Sequence, residues 1–223
     1  MLFRLRLGLL NHAPETNMDA SPTIEVAALY IRGDSIYKTF PQVDPWDESR
    51  DARQWPGGAP AVCHPPCRAW GRLRQFAKPR PDERDLARHA VAQIRYWGGV
   101  LEHPAYSTLW ADQKIPRPGQ GQDDAGGWTL PILQFWFGHR APKATWLYIV
   151  GCGPKATPEM PFAIGDPPAR ITWDRRNPQY PELTKAEREA TPPALARWLI
   201  EIAKIARTSR PELYNNEQAT TIQ

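Results

Sequence analysis

Cys67 is the residue whose type and setting most clearly suggest chemistry. The segment 60–73, PAVCHPPCRAWGRL, opens with a short apolar run, breaks at two consecutive prolines and then presents Cys67. Because proline fixes φ and has no N–H to donate, the chain beyond it does not extend the strand. Ligands of open α/β sheets bind beyond the carboxyl ends of the strands. The pattern predicts a thiol at the edge of a sheet, where it could act as a nucleophile; the plain alternative is a buried structural thiol.

Glu102 is the acidic partner that the same reasoning selects. A helix is predicted at 83–97, between a strand at 60–64 and a strand at 99–103. A right-handed crossover between parallel strands makes their carboxyl ends neighbours, roughly 5 Å apart. We therefore expect Cys67 and Glu102 to face one shared pocket, close enough for a single flat ring to touch both. The plain alternative for Glu102 is a solvated acid at a strand end.

A basic and aromatic segment follows Cys67 directly. Arg68, Trp70, Arg72 and Arg74 occur within seven residues of it. Such a run beside a thiol predicts a surface that contacts the phosphates and bases of a nucleic acid. Taken alone, such a run is more often a solvated face; its position beside the thiol makes the two interpretations comparable. The net charge of +4 and the pI of about 9.0 permit a nucleic-acid partner without requiring one.

Metal binding is a second possibility, because cysteines and histidines lie near the predicted strand ends. Cys63 and Cys67 are separated by three residues rather than two, and no second cysteine pair occurs. Zinc deaminases place His-x-Glu before Pro-Cys-x-x-Cys, which is not the order found here. No metal ligand is predicted, and His64, His103 and His139 are expected to hydrogen-bond the backbone of loops.

The elements that position these residues are predicted from apolar periodicity and turn signals. Asp82, as N-cap, and the apolar spacing after it predict the helix at 83–97. The segment 37–58 is expected to be mostly loop, with room for a helical turn at 47–54. The other predicted elements are a strand at 24–32, a helical turn at 105–110, a loop at 111–127, strands at 128–137 and 144–151, a short helix after Thr184 and a last helix starting at Thr191–Pro193.

This order predicts an α/β fold with a mostly parallel sheet, helices on its faces and an antiparallel strand pair at one edge. The 223 residues suit a single domain at 21–208 between flexible tails at 1–20 and 209–223, with Met18 as an alternative start. Three cysteines do not make a disulfide framework and suit a reducing, cytoplasmic setting. No apolar run is long enough to cross a membrane.

From residue 60 to residue 206 the order of motifs resembles the back half of the cytosine-5 DNA methyltransferases. In that family a Pro-Cys loop carries the nucleophile and the next strand ends in Glu-Asn-Val. A strand pair then follows a Gly-x-Pro-Gln-x-Arg motif, and a last helix packs on the cofactor site. The corresponding stretches here are Pro66-Cys67, Glu102-His103-Pro104, Gly138-His139-Arg140-Ala141-Pro142-Lys143 and the helix from Thr191.

The resemblance implies a fold, a reaction and partners. It implies a Rossmann-like (class I methyltransferase-like) sheet with helices on both faces, DNA as substrate and S-adenosylmethionine as methyl donor. Cys67, its pKa lowered by Arg68 or a helix end, would add to C6 of a pyrimidine. Glu102 would hydrogen-bond N3 and the exocyclic amine of a base that has left the stack. The cofactor would contact Gly33, Asp34 and Thr191, and Lys143 would join the nucleic-acid contacts.

Departures from the family pattern leave a second function open. The glycine-rich Phe-x-Gly-x-Gly loop is replaced by Arg-Gly-Asp-Ser at 32–35, Glu102 is followed by His-Pro, and Lys143 stands where arginine is expected. The length leaves no room for a separate target-recognition domain. A compact chain of this kind suits a phage or mobile-element modification protein. The alternative is a non-catalytic nucleic-acid-binding or interaction protein on the same scaffold.

Overall fold

Six strands form one open sheet in the computed structural model of the protein, which describes residues 23–172 and 178–208. The strands lie side by side in the order β2-β1-β3-β4-β6-β5. The predicted tails at 1–20 and 209–223 lie outside the described residues. The bounds of the strands are β1 Val26–Ile31, β2 Val43–Asp47, β3 Ala61–Cys63, β4 Gly99–Pro104, β5 Trp128–Leu133 and β6 Ala144–Val150.

Strand directions bring several strand ends to one edge of the sheet. β1 pairs in parallel with β2 and β3, and β3 pairs in parallel with β4. β6 runs antiparallel to both β4 and β5. The predicted mostly parallel sheet with an antiparallel pair at one edge is confirmed, as is the parallel pairing of the strands at 60–64 and 99–103. Because Pro104 pairs with Thr145, β6 begins at the edge where β4 ends.

The described residues include four α-helices, of which two are long. Their bounds are α1 Glu83–Trp97, α2 Leu109–Asp112, α3 Lys185–Glu189 and α4 Pro193–Ile205. α1 has the predicted bounds, although the Asp82 side chain makes no capping hydrogen bond and lies near Arg53 and Arg80 instead. Gly98, at a φ of +81°, ends α1, and a Cβ there would lie 2.1 Å from the carbonyl oxygen of Ala206. Among the described helices, none is long and apolar enough to cross a membrane.

The apolar side chains of the sheet divide between two core clusters. Val26 and Ala28 of β1 belong to the first cluster, together with the buried residues of α4. Ala27 and Leu29 belong to the second, together with the buried residues of α1. Successive residues of a strand point to opposite faces, so β1 is buried on both sides. This explains its continuous apolar sequence, which is typical of central strands in parallel sheets.

The structure differs from the sequence prediction in four short segments. Residues 37–58, predicted to be mostly loop, contain β2 and a 3₁₀ turn at Ala52–Gln54, and another 3₁₀ turn spans Ile36–Thr39. β2 was not recognised because its sequence VDPWD has no apolar alternation and contains a proline, which an edge strand tolerates. The strand predicted at 128–137 ends at Leu133, where a 3₁₀ turn begins, and the helical turn predicted at 105–110 is α2 at 109–112.

Candidate functional site

The carboxyl edge of the parallel strands gathers the polar side chains of the candidate site. His64 follows β3, Glu102 lies near the end of β4, and Gln134 follows β5. Lys143 directly precedes β6, which begins at the same edge. Residues from four separate stretches of sequence therefore meet here because of the strand order, not because of their spacing.

Glu102 is the centre of this group. Only 11% of its side chain is exposed. His64 Nδ1 lies 3.2 Å from its Oε2, and Gln134 Nε2 donates to its Oε1 at 2.8 Å. Burial alone would raise the pKa of Glu102, but the hydrogen bond from His64 and the positive charge of Lys143 outweigh burial and lower the pKa to about 2. Glu102 is therefore a carboxylate at neutral pH and only accepts hydrogen bonds.

Tyr37 extends the group on the far side of His64. It lies in the 3₁₀ turn after β1, is fully buried, and places its hydroxyl 3.0 Å from His64 Nε2. Burial, with the nearby charge of Glu102, raises the pKa of Tyr37 well above its usual value, so the phenol keeps its proton. Sequence analysis missed Tyr37 because it falls in a segment predicted to be loop and lies 27 residues from His64.

Gln134 closes the other side of Glu102. Its Nε2 also lies 3.1 Å from Thr145 Oγ1, and its Oε1 is buried without a hydrogen-bond partner among the described residues. Leaving such a carbonyl unsatisfied costs about 1–3 kcal/mol. Gln134 was also missed. The available signal was a polar residue in the middle of the apolar run WTLPILQFWF.

Cys67 lies beyond β3 with its side chain open to solvent on one side. The N–H groups of Trp70 and Gly71 donate to its carbonyl oxygen at 3.0 and 2.8 Å and hold the turn. Desolvation by the surrounding atoms raises the pKa of the thiol, the negative charge of Glu102 raises it further, and Lys143 opposes both. These electrostatic interactions place Cys67, Glu102 and Lys143 in one neighbourhood. The predicted lowering of the Cys67 pKa is wrong, because desolvation and, after it, the neighbouring carboxylate outweigh the positive charge of Lys143.

Arg68 and Trp70 do not have the surroundings that the sequence predicted. The Arg68 guanidinium forms an ion pair with Glu83, whose side chain is fully buried at the start of α1. Trp70 is fully buried beneath the guanidinium of Arg84, which lies 4.6 Å from its ring centroid. Its ring is therefore not available to a base in this conformation, and the prediction that Trp70 belongs to the surface that contacts bases is wrong.

Other side chains beside Cys67 are accessible. Arg72 and Arg74 are exposed, and neither makes an ion pair with a described carboxylate. Phe76 is 78% exposed and Tyr106 is 70% exposed. Thr108 N and Oγ1 donate to the Trp70 carbonyl oxygen at 3.0 and 3.3 Å, and this holds the segment after β4 beside the segment after Cys67.

Ion pairs link the two segments that contain the predicted cofactor residues Gly33, Asp34 and Thr191. Arg32, at the end of β1, binds Asp34 at 2.8 Å and Glu189 at 3.2 Å. The turn containing Gly33 is thereby linked to the end of α3, two residues before Thr191. A Cβ on Gly33 would meet no atom within 4 Å, so the space beside it is open. A separate surface cavity lies at the opposite edge of the sheet, between the residues after β6 and Arg207.

His103 is the other buried histidine at this edge. It packs edge to face against Trp110, and neither ring nitrogen has a hydrogen bond of good geometry among the described residues. Burial lowers the pKa of His103 to about 4, so the ring is neutral at neutral pH. Within residues 23–172 and 178–208, no group of three or more histidine, cysteine, aspartate and glutamate side chains is placed to hold a metal ion.

Comparison with protein-family models, curated proteins and solved structures found no match to this chain. The residues of the site are therefore the basis for its function. They combine a thiol open to solvent, an ionised carboxylate held by two hydrogen bonds, and an exposed basic and aromatic surface. This combination offers a potential nucleophile and a hydrogen-bond acceptor at one edge of the sheet.

Proposed function

We propose that the protein is a DNA-modifying enzyme of the kind it resembles, the cytosine-5 DNA methyltransferases. Cys67 is the nucleophile that adds to C6 of a pyrimidine, and Glu102 holds the base by its amino edge. The observation that carries this proposal is the ionised Glu102, fixed by His64 and Gln134 within electrostatic reach of the Cys67 thiol. Cys67 follows β3 and Glu102 lies near the end of the adjacent parallel strand β4, as expected for a site at the carboxyl edge of such a sheet.

The fold that this proposal requires is a Rossmann-like, methyltransferase-like sheet with helices on both faces. The division of β1 side chains between a cluster containing α4 and a cluster containing α1 supports it. We propose S-adenosylmethionine as the cofactor, held near Gly33, Asp34 and Thr191. The Arg32–Glu189 ion pair supports this placement because it joins the turn after β1 to the end of α3, which lies just before the last helix in sequence.

The proposed reaction uses the thiol and the carboxylate together. As Sγ of Cys67 bonds to C6, the thiol proton leaves, the C5–C6 double-bond electrons make C5 nucleophilic, and N3 takes a proton. S-adenosylmethionine, when bound, supplies the methyl group that C5 takes. Loss of the C5 and N3 protons then expels Cys67 as a thiolate and restores the ring; the thiolate takes back one of these protons and the other leaves to solvent. Because the pKa of Cys67 is raised, deprotonation must accompany attack rather than precede it.

The proposed DNA surface differs from the one predicted from sequence. Arg72 and Arg74 are placed to contact phosphates, and the exposed rings of Phe76 and Tyr106 offer faces on which unpaired bases can stack. Arg68 pairs with Glu83 and has less charge to offer, and Trp70 is replaced in this role. Lys143, which is half-buried beside Glu102, stays a proposed contact to the nucleotide.

A second candidate function is nucleic-acid binding or protein interaction without catalysis, on the same scaffold. The raised pKa of Cys67 favours it, since the thiol is protonated at neutral pH. In either case we propose a cytoplasmic protein of a phage or mobile element. The three cysteines, none of which is in a disulfide, are compatible with that compartment.

A mechanism-based trap separates the two functions. A random-sequence DNA library containing 5-fluorocytosine is incubated with the protein and S-adenosylmethionine, and adducts are resolved on denaturing gels and by intact mass. A covalent adduct is expected with the wild type and with Cys152→Ser, a matched control at a partly buried thiol on the other edge. None is expected with Cys67→Ser. DNA binding without any adduct would favour the non-catalytic function.

A further inference from the structure

A surface of exposed basic and aromatic side chains, here called the Phe76 surface, lies on the segment after Cys67. Its members are Arg72, Arg74, Phe76 and Lys78, with Tyr106 from the segment after β4. We propose that the Phe76 surface binds a single strand of DNA in preference to a duplex, with bases stacked on the two rings and phosphates on the three cations. That the ligand is DNA rests on the proposed function, whereas the preference for unpaired bases rests on this surface.

The cations of the Phe76 surface are available to phosphates because the nearby carboxylates are already paired. Residues 68–81 contain no aspartate or glutamate. Each carboxylate at 82–85 pairs with an arginine outside the surface, namely Arg53, Arg68, Arg80 or Arg88. Arg72, Arg74 and Lys78 are exposed and form no ion pair with a described carboxylate. Three positive charges within residues 72–78 therefore attract an anionic chain.

The two rings of the surface are exposed without a packing role. Phe76 ends a 3₁₀ turn at Arg74–Phe76, and most of its side chain and most of that of Tyr106 are open to solvent. Phe162 is similarly exposed, but its ring stacks on Trp136. No such ring contact is found for Phe76 or Tyr106 among the described residues. Aromatic faces beside cations are the groups on which the bases of a single strand stack.

Hydrogen bonds hold the two segments of the surface together. Thr108 N and Oγ1 donate to the carbonyl oxygen of Trp70 at 3.0 and 3.3 Å, which joins the segment after β4 to the segment after Cys67. Phe76 N donates to the carbonyl oxygen of Leu73 at 3.0 Å and closes the turn that carries the ring. A surface whose backbone is already held loses less conformational entropy when a strand binds.

The rings, and not the cations, account for the preference. Phosphates attract the cations in a duplex and in a single strand alike. The base faces of a duplex are covered by the neighbouring bases, so Phe76 and Tyr106 reach them only after unstacking. A single strand offers its base faces without that cost. An unpaired base also reaches Cys67 without first leaving a duplex, so the preference suits the proposed reaction.

The first experiment compares three DNA probes by fluorescence anisotropy, with the wild-type protein and without S-adenosylmethionine. The probes are an oligothymidine of about 12 nucleotides, the same strand with abasic sites throughout, and its duplex with oligodeoxyadenosine. Oligothymidine should bind at least about tenfold more tightly than either of the others, because stacking contributes about five- to a hundredfold per base. A duplex or an abasic strand that binds as tightly as oligothymidine would overturn the proposal.

Substitutions of the exposed rings test the stacking. Phe76→Leu keeps an apolar side chain but removes the ring, and should weaken binding of oligothymidine at least about fivefold without changing binding of the abasic strand. Phe76→Tyr keeps the ring and should bind as the wild type does. Phe162→Leu, at an exposed ring that packs on Trp136, is the matched control and should leave all three affinities unchanged. Equal losses in Phe76→Leu and Phe162→Leu would contradict the stacking role.

A substitution of one cation tests the phosphate contacts. Lys78→Gln should weaken binding of all three probes and reduce the salt dependence of oligothymidine binding by about 0.7 in the log–log slope. Lys155→Gln, at an exposed lysine after β6 with no ion pair to a described carboxylate, is the control. An unchanged slope in Lys78→Gln would contradict the phosphate contact. An oligoglutamate that displaces oligothymidine at equal charge concentration would overturn the proposal in favour of an acidic protein partner.

Failure of the proposed function gives a different result. The 5-fluorocytosine library is trapped in single-stranded and in duplex form, and the adducts alone decide whether Cys67 is a nucleophile. Preferred binding of the single strand without any adduct keeps the inference and removes the enzymatic function. Adducts formed equally well on duplex DNA, with no preference for oligothymidine in the anisotropy measurements, keep the enzymatic function and overturn the inference.

Discussion

Two largely buried carboxylates in this protein, Asp123 and Glu102, differ in how many hydrogen bonds they accept. Asp123 accepts hydrogen bonds from Tyr148 OH at 2.6 Å, Arg95 Nη2 at 3.1 Å, and the N–H groups of Ala125 and Gly127 at 3.1 and 2.9 Å. Among the described residues, Glu102 accepts from two side chains, beside an Oε1 of Gln134 that has no hydrogen-bond partner there. Both have lowered pKa values because hydrogen bonds and cations outweigh burial.

The difference indicates which network is structural. The Asp123 network uses its donors to close the loop before β5 onto β6, and a Cβ on Gly127 would lie 2.3 Å from the Tyr148 ring, so nothing else fits there. The Glu102 network leaves acceptor capacity beside a thiol open to solvent. A completed polar network rigidifies a fold, whereas an incomplete one has capacity for a ligand.

The largest expected effect is on the rate of covalent trapping, which should depend on Glu102 and not on Asp123. Glu102→Gln should reduce covalent trapping of 5-fluorocytosine DNA by at least about a hundredfold, because an amide lacks the charge of the carboxylate and does not keep both oxygens as acceptors for the base. Rates of adduct formation measured on denaturing gels test this. Asp123→Asn should leave the rate per folded molecule unchanged. Equal losses in the two variants would mean that the comparison does not locate the site.

The next effect separates them by stability. Asp123→Asn should lower the free energy of unfolding by about 2–3 kcal/mol, because it removes the carboxylate that pairs with Arg95. This value is smaller than for a fully buried ion pair, because about a third of the Arg95 side chain is exposed to solvent. Urea denaturation followed by tryptophan fluorescence measures it. Tyr148→Phe should cost less, about 1.5 kcal/mol, because it deletes one hydroxyl that donates to Asp123 and accepts from Arg95 Nε at 3.1 Å while the ion pair of Asp123 with Arg95 is kept. An Asp123→Asn variant with unchanged free energy of unfolding would show that the hydrogen bonds around Asp123 do not stabilise the fold.

The features that could be predicted from sequence are those whose signals are local in the chain. α1 and β4 were recognised because apolar periodicity, an acidic first turn and Gly98 act locally. Cys67 and Glu102 were recognised because each follows a readable strand. Tyr37 and Gln134 were not, because their roles arise only when strand order brings distant segments together. The burial of Trp70 could not be predicted either, because a tryptophan beside arginines has the same sequence pattern in a core and on a surface.

A third prediction concerns pH and the buried His103. Its folded pKa, about 4, lies below the ordinary histidine value of 6.5, so the unfolded chain binds the extra proton first as pH falls. This stabilising contribution is complete above pH 6.5 and is lost as pH falls towards 4, by up to about 3 kcal/mol. His103→Phe should flatten the stability profile in that window, measured by urea denaturation. A profile unchanged by the substitution would show that His103 has an unseen partner in the folded state.

The smallest expected effect tests the incompleteness of the Glu102 network itself. Gln134→Met keeps the shape of the side chain, removes the donor to Glu102 and Thr145, and also removes the unsatisfied carbonyl. The lost charge-assisted hydrogen bond is worth about 1.5–3 kcal/mol and the relieved carbonyl about 1–3 kcal/mol, so the free energy of unfolding should change by less than about 1 kcal/mol. The Glu102 pKa should rise, because a donor to the carboxylate is gone. Urea denaturation and carboxyl titration of the same variant measure both quantities. A loss of stability as large as that of Asp123→Asn would mean that the network around Glu102 is as complete as the one around Asp123, and the reason for placing the ligand site at Glu102 would disappear.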